Sequence, residues 1–154
     1  MIENSHLSFK NFKLNKTEKY NQSNAYDKPK GLWYQINGSW NEWCSIEMPQ
    51  WLEKKVDWEL SIDKSNVLII DTLEKFNLFE TKYCAKHPYL PSNNYINWKK
   101  VSKDYDGIEI TNYIYSKRIS SMWYYTWYVA SGCIWNLTKI KVLSCKEISI
   151  NKTT

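Results

Sequence analysis

The chain has 154 residues, 43% hydrophobic and 24% charged, the size and balance of one globular domain with a core of its own. No apolar run reaches membrane-spanning length. The net charge of +5 comes from scattered Lys with Arg118 as the sole arginine, so a weak attraction to polyanions follows and base or phosphate readout by a guanidinium set gains little support.

What departs from the ordinary is the 16% aromatic content, with nine Trp and twelve Tyr against four Phe. Such rings join an apolar body to a polar edge and suit half-buried clefts, or serve as bulk in a core short of smaller residues. Cys44, Cys84, Cys133 and Cys145 are widely spaced, and Met1 to Lys19 is polar without a secretory core. Reduced thiols and a cytoplasmic setting are the expectation.

In chain order, Ser5 to Phe9 reads as a short strand with Leu7 and Phe9 on one face, and Lys10 to Lys28 as irregular. Gly31 to Ile36 is a strand closed by Asn37-Gly38. Ser39, with Glu42 three residues on, has the capping-box spacing, so a short helix is expected from Trp40 until Pro49 stops it. Val56 to Ile62 alternates as a half-buried strand does, and Val67 to Ile70 is a continuous apolar strand expected at the centre of a sheet. Asp71 or Thr72 caps a helix carrying Leu73, Phe76, Leu78 and Phe79. Tyr83 to Asn94 is loop, and Asn94 to Lys103 a helix burying Ile96 or Trp98 together with Val101.

Tyr105-Asp106-Gly107 turns into a strand whose Ile108 and Ile110 oppose Glu109. Ser120 to Val129 carries Trp123, Tyr124, Tyr125, Trp127 and Tyr128 and is strand by propensity, ended by Gly132. Cys133 to Trp135 and Ile140 to Leu143 form a last strand pair or a bent strand. The sum is a single α+β domain over residues 1–154, with two small packed mixed or antiparallel sheets, short helices, and fraying at 1–4 and 148–154.

Several chemistries lack their residues. There is no Gly-rich phosphate loop among four glycines. Cys84 and His87 have a Cys-x-x-His spacing without a second pair, so no metal site is expected, and no local signature marks a Cys/His nucleophile.

Lys30-Gly31-Leu32-Trp33-Tyr34, followed by Glu42-Trp43-Cys44, resembles the segment of ADP-ribosyltransferases of the diphtheria-toxin and poly(ADP-ribose) polymerase type. In that family a Lys-Gly-apolar-Tyr strand leads into a helix bearing a second ring, and the two rings sandwich the nicotinamide of NAD. Tyr105-Asp106-Gly107-Ile108 and Cys133-Ile134-Trp135-Asn136 are similar to two later motifs, and His6 stands where the family has its upstream His. The resemblance implies NAD as substrate and cofactor-binding positions at His6, Gly31, Trp33, Tyr34, Trp40, Trp43 and Ser131. It also implies mono-ADP-ribosyl transfer to a macromolecular target.

The family's catalytic Glu falls on Ser131, which cannot stabilise a developing oxocarbenium charge. Glu109, on the neighbouring strand, is the expected substitute, with Asp106 or Glu147 as alternatives. Otherwise the domain binds NAD or ADP-ribose without turnover. Two readings from other classes stand beside this. One is a non-enzymatic aromatic module for nucleotides, single-stranded nucleic acid or sugars. The other is an interaction protein using the Trp123–Tyr128 cluster against a protein partner.

Overall fold

The computed structural model describes residues 2–86, 89 and 95–148. Among them are nine strands: β1 (Asn4–Phe9), β2 (Leu32–Ile36), β3 (Lys55–Ile62), β4 (Val67–Ile70), β5 (Cys84–Ala85), β6 (Tyr95–Ile96), β7 (Gly107–Ile110), β8 (Ser131–Ile134) and β9 (Ile140–Lys146). Three α-helices accompany them, α1 (Ser39–Glu47), α2 (Leu73–Tyr83) and α3 (Trp98–Asp104). Seven strands make one mixed sheet in the order β4-β7-β8-β2-β1-β3-β9, and β5 pairs with β6 apart from it. The class is α+β as expected, and the two sheets are very unequal.

Only β4 and β7 run parallel, and the crossover between them carries α2 and α3, as a parallel pair requires. Directly opposed residues share a face of a sheet, so the register Ile110–Ser131–Gln35–Ser5 defines one face and Glu109–Gly132–Tyr34 the other. The first face packs under α2, α3 and the 3-10 turns of Met122–Trp127, through Ile70, Phe76, Trp98, Ile108, Ile110, Trp123 and Trp127. The second face encloses Leu32, Tyr34, Ile36, Leu60, Val67, Ile134 and Ile140. Those residues come from both ends of the sheet, so the sheet curls around them.

This curl explains the misplacement of β4. Val67 to Ile70 was expected to be central because it is apolar throughout, yet β4 is an edge strand in hydrogen bonding. Its residues are apolar because both sides are covered, Val67 and Ile69 by the inner core and Leu68 and Ile70 by the outer.

Other expectations are corrected by specific contacts. Ser39 does not cap α1: Gly38, at φ 72, holds that place, while the Ser39 hydroxyl donates to the Ala130 carbonyl at 2.6 Å. Thr72 does cap α2, accepting from the Lys75 N–H at 3.2 Å, and Asp71 pairs with the Lys75 ammonium instead. Asn97 caps α3, leaving Ile96 in β6. The aromatic run Met122–Trp127 is not a strand, because tight turns bury Trp123, Tyr124 and Trp127 together in the outer core. Gly132 lies inside β8 rather than ending a strand, and β8 and β9 do not pair, since β8 sits between β7 and β2 while β9 lies beyond β3. Asn4 is ordered into β1 rather than frayed. The expected loop and helix positions at 87–88 and 90–94, His87 and Asn94 included, and the tail from 149 lie outside the described residues.

Candidate functional site

Helix α1 is anchored to the sheet by a buried polar network. The Asn41 N–H donates to Gln35 Oε1 at 2.9 Å, and the Asn41 and Gln35 side-chain amides donate to the Asp57 carboxylate at 2.7 and 2.9 Å. Burial pushes the Asp57 carboxyl up and the two amides hold it down. Anchored this way, α1 carries Trp40 and Trp43 on one side, at the i,i+3 spacing that places side chains next to each other.

The two indoles stack at 5.0 Å and 12°. Trp43 stacks again on Tyr128 at 4.8 Å and 24°, and Trp40 on Trp51 at 5.8 Å and 30°. Trp43 also lies 6.0 Å from Trp51 and Trp40 lies 6.5 Å from Tyr128, so the four half-buried to exposed rings form a compact cluster around the Trp40–Trp43 stack. Tyr128 reaches it through a γ-turn, with φ 61 and ψ −42 at Tyr128 and the Val129 N–H donating to the Trp127 carbonyl at 2.7 Å. A positive central φ makes this the strained form of the turn, a cost of about 1–3 kcal/mol that the surrounding packing must hold.

Trp33 lies on the same sheet face, since it alternates with Tyr34 on β2. Its ring meets Trp127 edge-on at 4.9 Å, and the Lys28 ammonium sits 5.3 Å from its centroid. The two rings expected to clamp a nicotinamide therefore contact consecutive residues, Trp33 at Trp127 and Trp43 at Tyr128. Gly31 precedes β2, its backbone pressed against the Ile134 carbonyl. Ser131 is buried at the start of β8, opposite Gln35, and donates to the Val129 carbonyl at 3.1 Å.

His6 stands on the other face. Its Nδ1 is 2.7 Å from the Trp33 carbonyl oxygen, an acceptor only, so Nδ1 carries the proton and Nε2 keeps a lone pair. Burial lowers the ring's pKa below its ordinary 6.5, partly offset by that hydrogen bond. A base whose folded pKa is lowered binds its proton more readily in the unfolded chain, so stability falls as pH drops below 6.5. We expect urea titrations at pH 7.5 and about 5.5 to give a smaller stability difference for His6→Gln than for the wild type; equal differences would remove His6 as the cause.

Glu109 is also on that face, buried at 4% exposure. The Tyr34 hydroxyl donates to it at 2.6 Å, the Thr111 hydroxyl at 3.2 Å, and the Lys64 ammonium pairs with it at 2.7 Å. Burial first, then the Glu109 charge, push the Tyr34 phenol far up, so it stays a donor. The Tyr34 ring reaches Glu109 by crossing over Gly132, where a Cβ would stand 2.2 Å from a ring atom. Lys64 and Asn4 also border a recess of about 400 Å³ between β1 and β3.

The sheet thus divides the expected residues. Trp33, Trp40, Trp43 and Ser131 lie on one face, with His6, Tyr34 and Glu109 on the other. The alternative carboxylates are engaged elsewhere: Asp106 accepts from the Asn136 amide at 2.9 Å, and Glu147 pairs with Lys10 at the surface. Among the described residues no three His, Cys, Asp or Glu side chains group as a metal site, and no helix is long and apolar enough to cross a membrane. Burial raises the Cys44 and Cys133 thiols, which marks them as packing groups rather than nucleophiles.

Three residues of these sites carry no sequence signal for the place they take. Lys64 sits in a polar turn without a motif, Trp51 lies in the short turn after Pro49, and Tyr128 reads along the chain as one ring of a strand. No family model, curated protein or solved structure matches this chain.

Proposed function

We propose that this domain binds a nucleotide of the NAD or ADP-ribose class on the face that carries Trp33, Trp40, Trp43, Tyr128 and Ser131. The observation behind this reading is the cluster of Trp40, Trp43, Trp51 and Tyr128, whose closest pairs lie within 12–30° of parallel and which is left partly open to solvent. A flat heterocycle adds to such a cluster at little cost in order, because the rings are already held against one another. Binding without turnover is the form this geometry favours, since Glu109 lies across the sheet and is already paired with Lys64.

Quenching of Trp fluorescence tests it. NAD or ADP-ribose is expected to quench the wild type and Glu109→Gln alike, and Trp43→Ala much less. Quenching by oligonucleotide or oligosaccharide alone would move the ligand class, and quenching unchanged by Trp43→Ala would move the site.

A second reading, ADP-ribosyl transfer to a macromolecule, has its own observation. The patches carrying His6, Tyr34, Ser131 and Glu109 fall on four successive neighbours of the sheet, β1-β2-β8-β7, although far apart in sequence. In that reading the carboxylate acts from the Tyr34 face, and Lys64 must first release it. Labelled NAD incubated with candidate acceptors is then consumed by wild type and not by Glu109→Gln. Equal consumption by both proteins would remove Glu109 from the reaction.

A further inference from the structure

The ring cluster continues past Tyr128. The Arg118 guanidinium carbon lies 6.0 Å from the Tyr128 centroid, 5.4 Å from that of Tyr125 and 5.9 Å from that of Tyr115. Three phenol rings thus surround the chain's single arginine, and two of them, Tyr115 and Tyr125, are exposed. Its neighbour Lys117 pairs with Glu80 at 3.6 Å. Among the described residues no carboxylate stands within ion-pair reach of Arg118. Its Nε is buried and makes no hydrogen bond, and the same is true of the Tyr113 hydroxyl, whose acidity the Arg118 charge influences.

A buried Nε without a partner is costly in a residue with no ligand. A guanidinium presents five donors in a rigid planar fork, and among its three nitrogens Nε alone is buried and unpartnered, the side chain as a whole being half-buried. Cation–π attraction holds the guanidinium near these rings and satisfies no N–H in the guanidinium plane. The strained turn at Tyr128 is what brings its ring to both Trp43 and Arg118. Strain maintained at the joint between a stacking surface and an unpaired cation points to one ligand touching both.

We propose that Arg118 is the anion anchor of the nucleotide site: its fork takes a phosphate or diphosphate, and the heterocycle of the same molecule stacks on the Trp43–Tyr128 pair. The inference rests on the nucleotide reading of this face and adds the ligand's charged half. A doubly bonded guanidinium–phosphate contact in a ring-walled setting gives both geometry and charge selectivity. An uncharged nucleoside would use only the rings.

Because the chain has one arginine, phenylglyoxal adducts on the peptide containing Arg118 report this site alone, in the wild-type protein. ADP-ribose and inorganic pyrophosphate are expected to slow labelling of Arg118, and adenosine to leave it unchanged. In parallel, Arg118→Gln is expected to weaken ADP-ribose binding at least about tenfold and adenosine binding not at all, with Arg118→Lys between, keeping charge and losing the fork. Labelling that is equally fast with and without ADP-ribose and pyrophosphate would overturn the proposal, as would unchanged ADP-ribose affinity in Arg118→Gln. Should Arg118→Gln fail to fold, the labelling arm on the wild type still decides. The readouts separate the two readings. If ADP-ribose quenches Trp fluorescence and leaves Arg118 unprotected, the anchor fails and the nucleotide surface stands. If pyrophosphate alone protects Arg118 and no nucleotide quenches, the anion site stands and the stacking surface fails.

Discussion

Gly132→Ala is expected to destabilise the domain by about 4 kcal/mol, combining roughly 1–3 for overpacking with roughly 1.5–3 for a lost hydrogen bond to a carboxylate. An added Cβ would lie 2.2, 2.3 and 2.5 Å from three atoms at the far end of the Tyr34 side chain. No small adjustment relieves overlaps of that depth, because the Tyr34 ring is 2% exposed and closed in by the inner core. The ring must leave its path, and its 2.6 Å bond to Glu109 goes with it. Against a typical total of about 5–15 kcal/mol this is a large fraction. Urea titration measures it, and the decisive comparison is a double-mutant cycle. In a Tyr34→Ala background the methyl at 132 meets no ring, so the two changes together are expected to cost less than their sum by about 2 kcal/mol or more. Additive costs would show that Gly132 serves the strand rather than the ring.

That position illustrates what a sequence conveys and what it withholds. Read along the chain, Gly132 is a strand breaker. Its actual role depends on Tyr34, almost a hundred residues earlier, crossing it on a neighbouring strand. Signals that are local were legible. The alternation of Val56 to Ile62 gave β3, the Thr72 cap gave α2, and Pro49 stopped α1.

Signals that depend on a distant partner misled. Ser39 has the capping-box spacing, but its hydroxyl is claimed by Ala130. The aromatic run at 122–127 has strand propensity, but a core able to accept three large rings from one turn favours the 3-10 form. The site shows the same division. The sequence led to Trp33, Trp40 and Trp43 as ring candidates and to Glu109 as the carboxylate of interest, and each does stand in a distinctive setting. It could not reveal that rings and carboxylate occupy opposite faces, because facing is a matter of register between strands. A shift of one residue in the β7–β8 pairing would have placed Glu109 beside Ser131.

The second large effect concerns the partner that holds Glu109. Lys64→Met removes the only ammonium within ion-pair reach of Glu109 among the described residues, and leaves a carboxylate with 6% of its side chain exposed. Tyr34 and Thr111 supply two hydrogen bonds, which do not replace a full opposing charge, so a loss of roughly 3–5 kcal/mol is expected at pH 7.5. Glu109→Gln strands the other partner more gently. The Lys64 side chain is 27% exposed and can turn its ammonium to water, and the glutamine amide still accepts from Tyr34, so about 1–2 kcal/mol is expected. The double variant leaves no unpaired charge and is expected to be more stable than Lys64→Met alone, an ordering that a chain of independent contacts would not produce. Additive costs across the two single variants and the double variant would mean that Lys64 acts through packing on the Tyr34 ring, which its ammonium approaches at 5.8 Å, rather than through its charge.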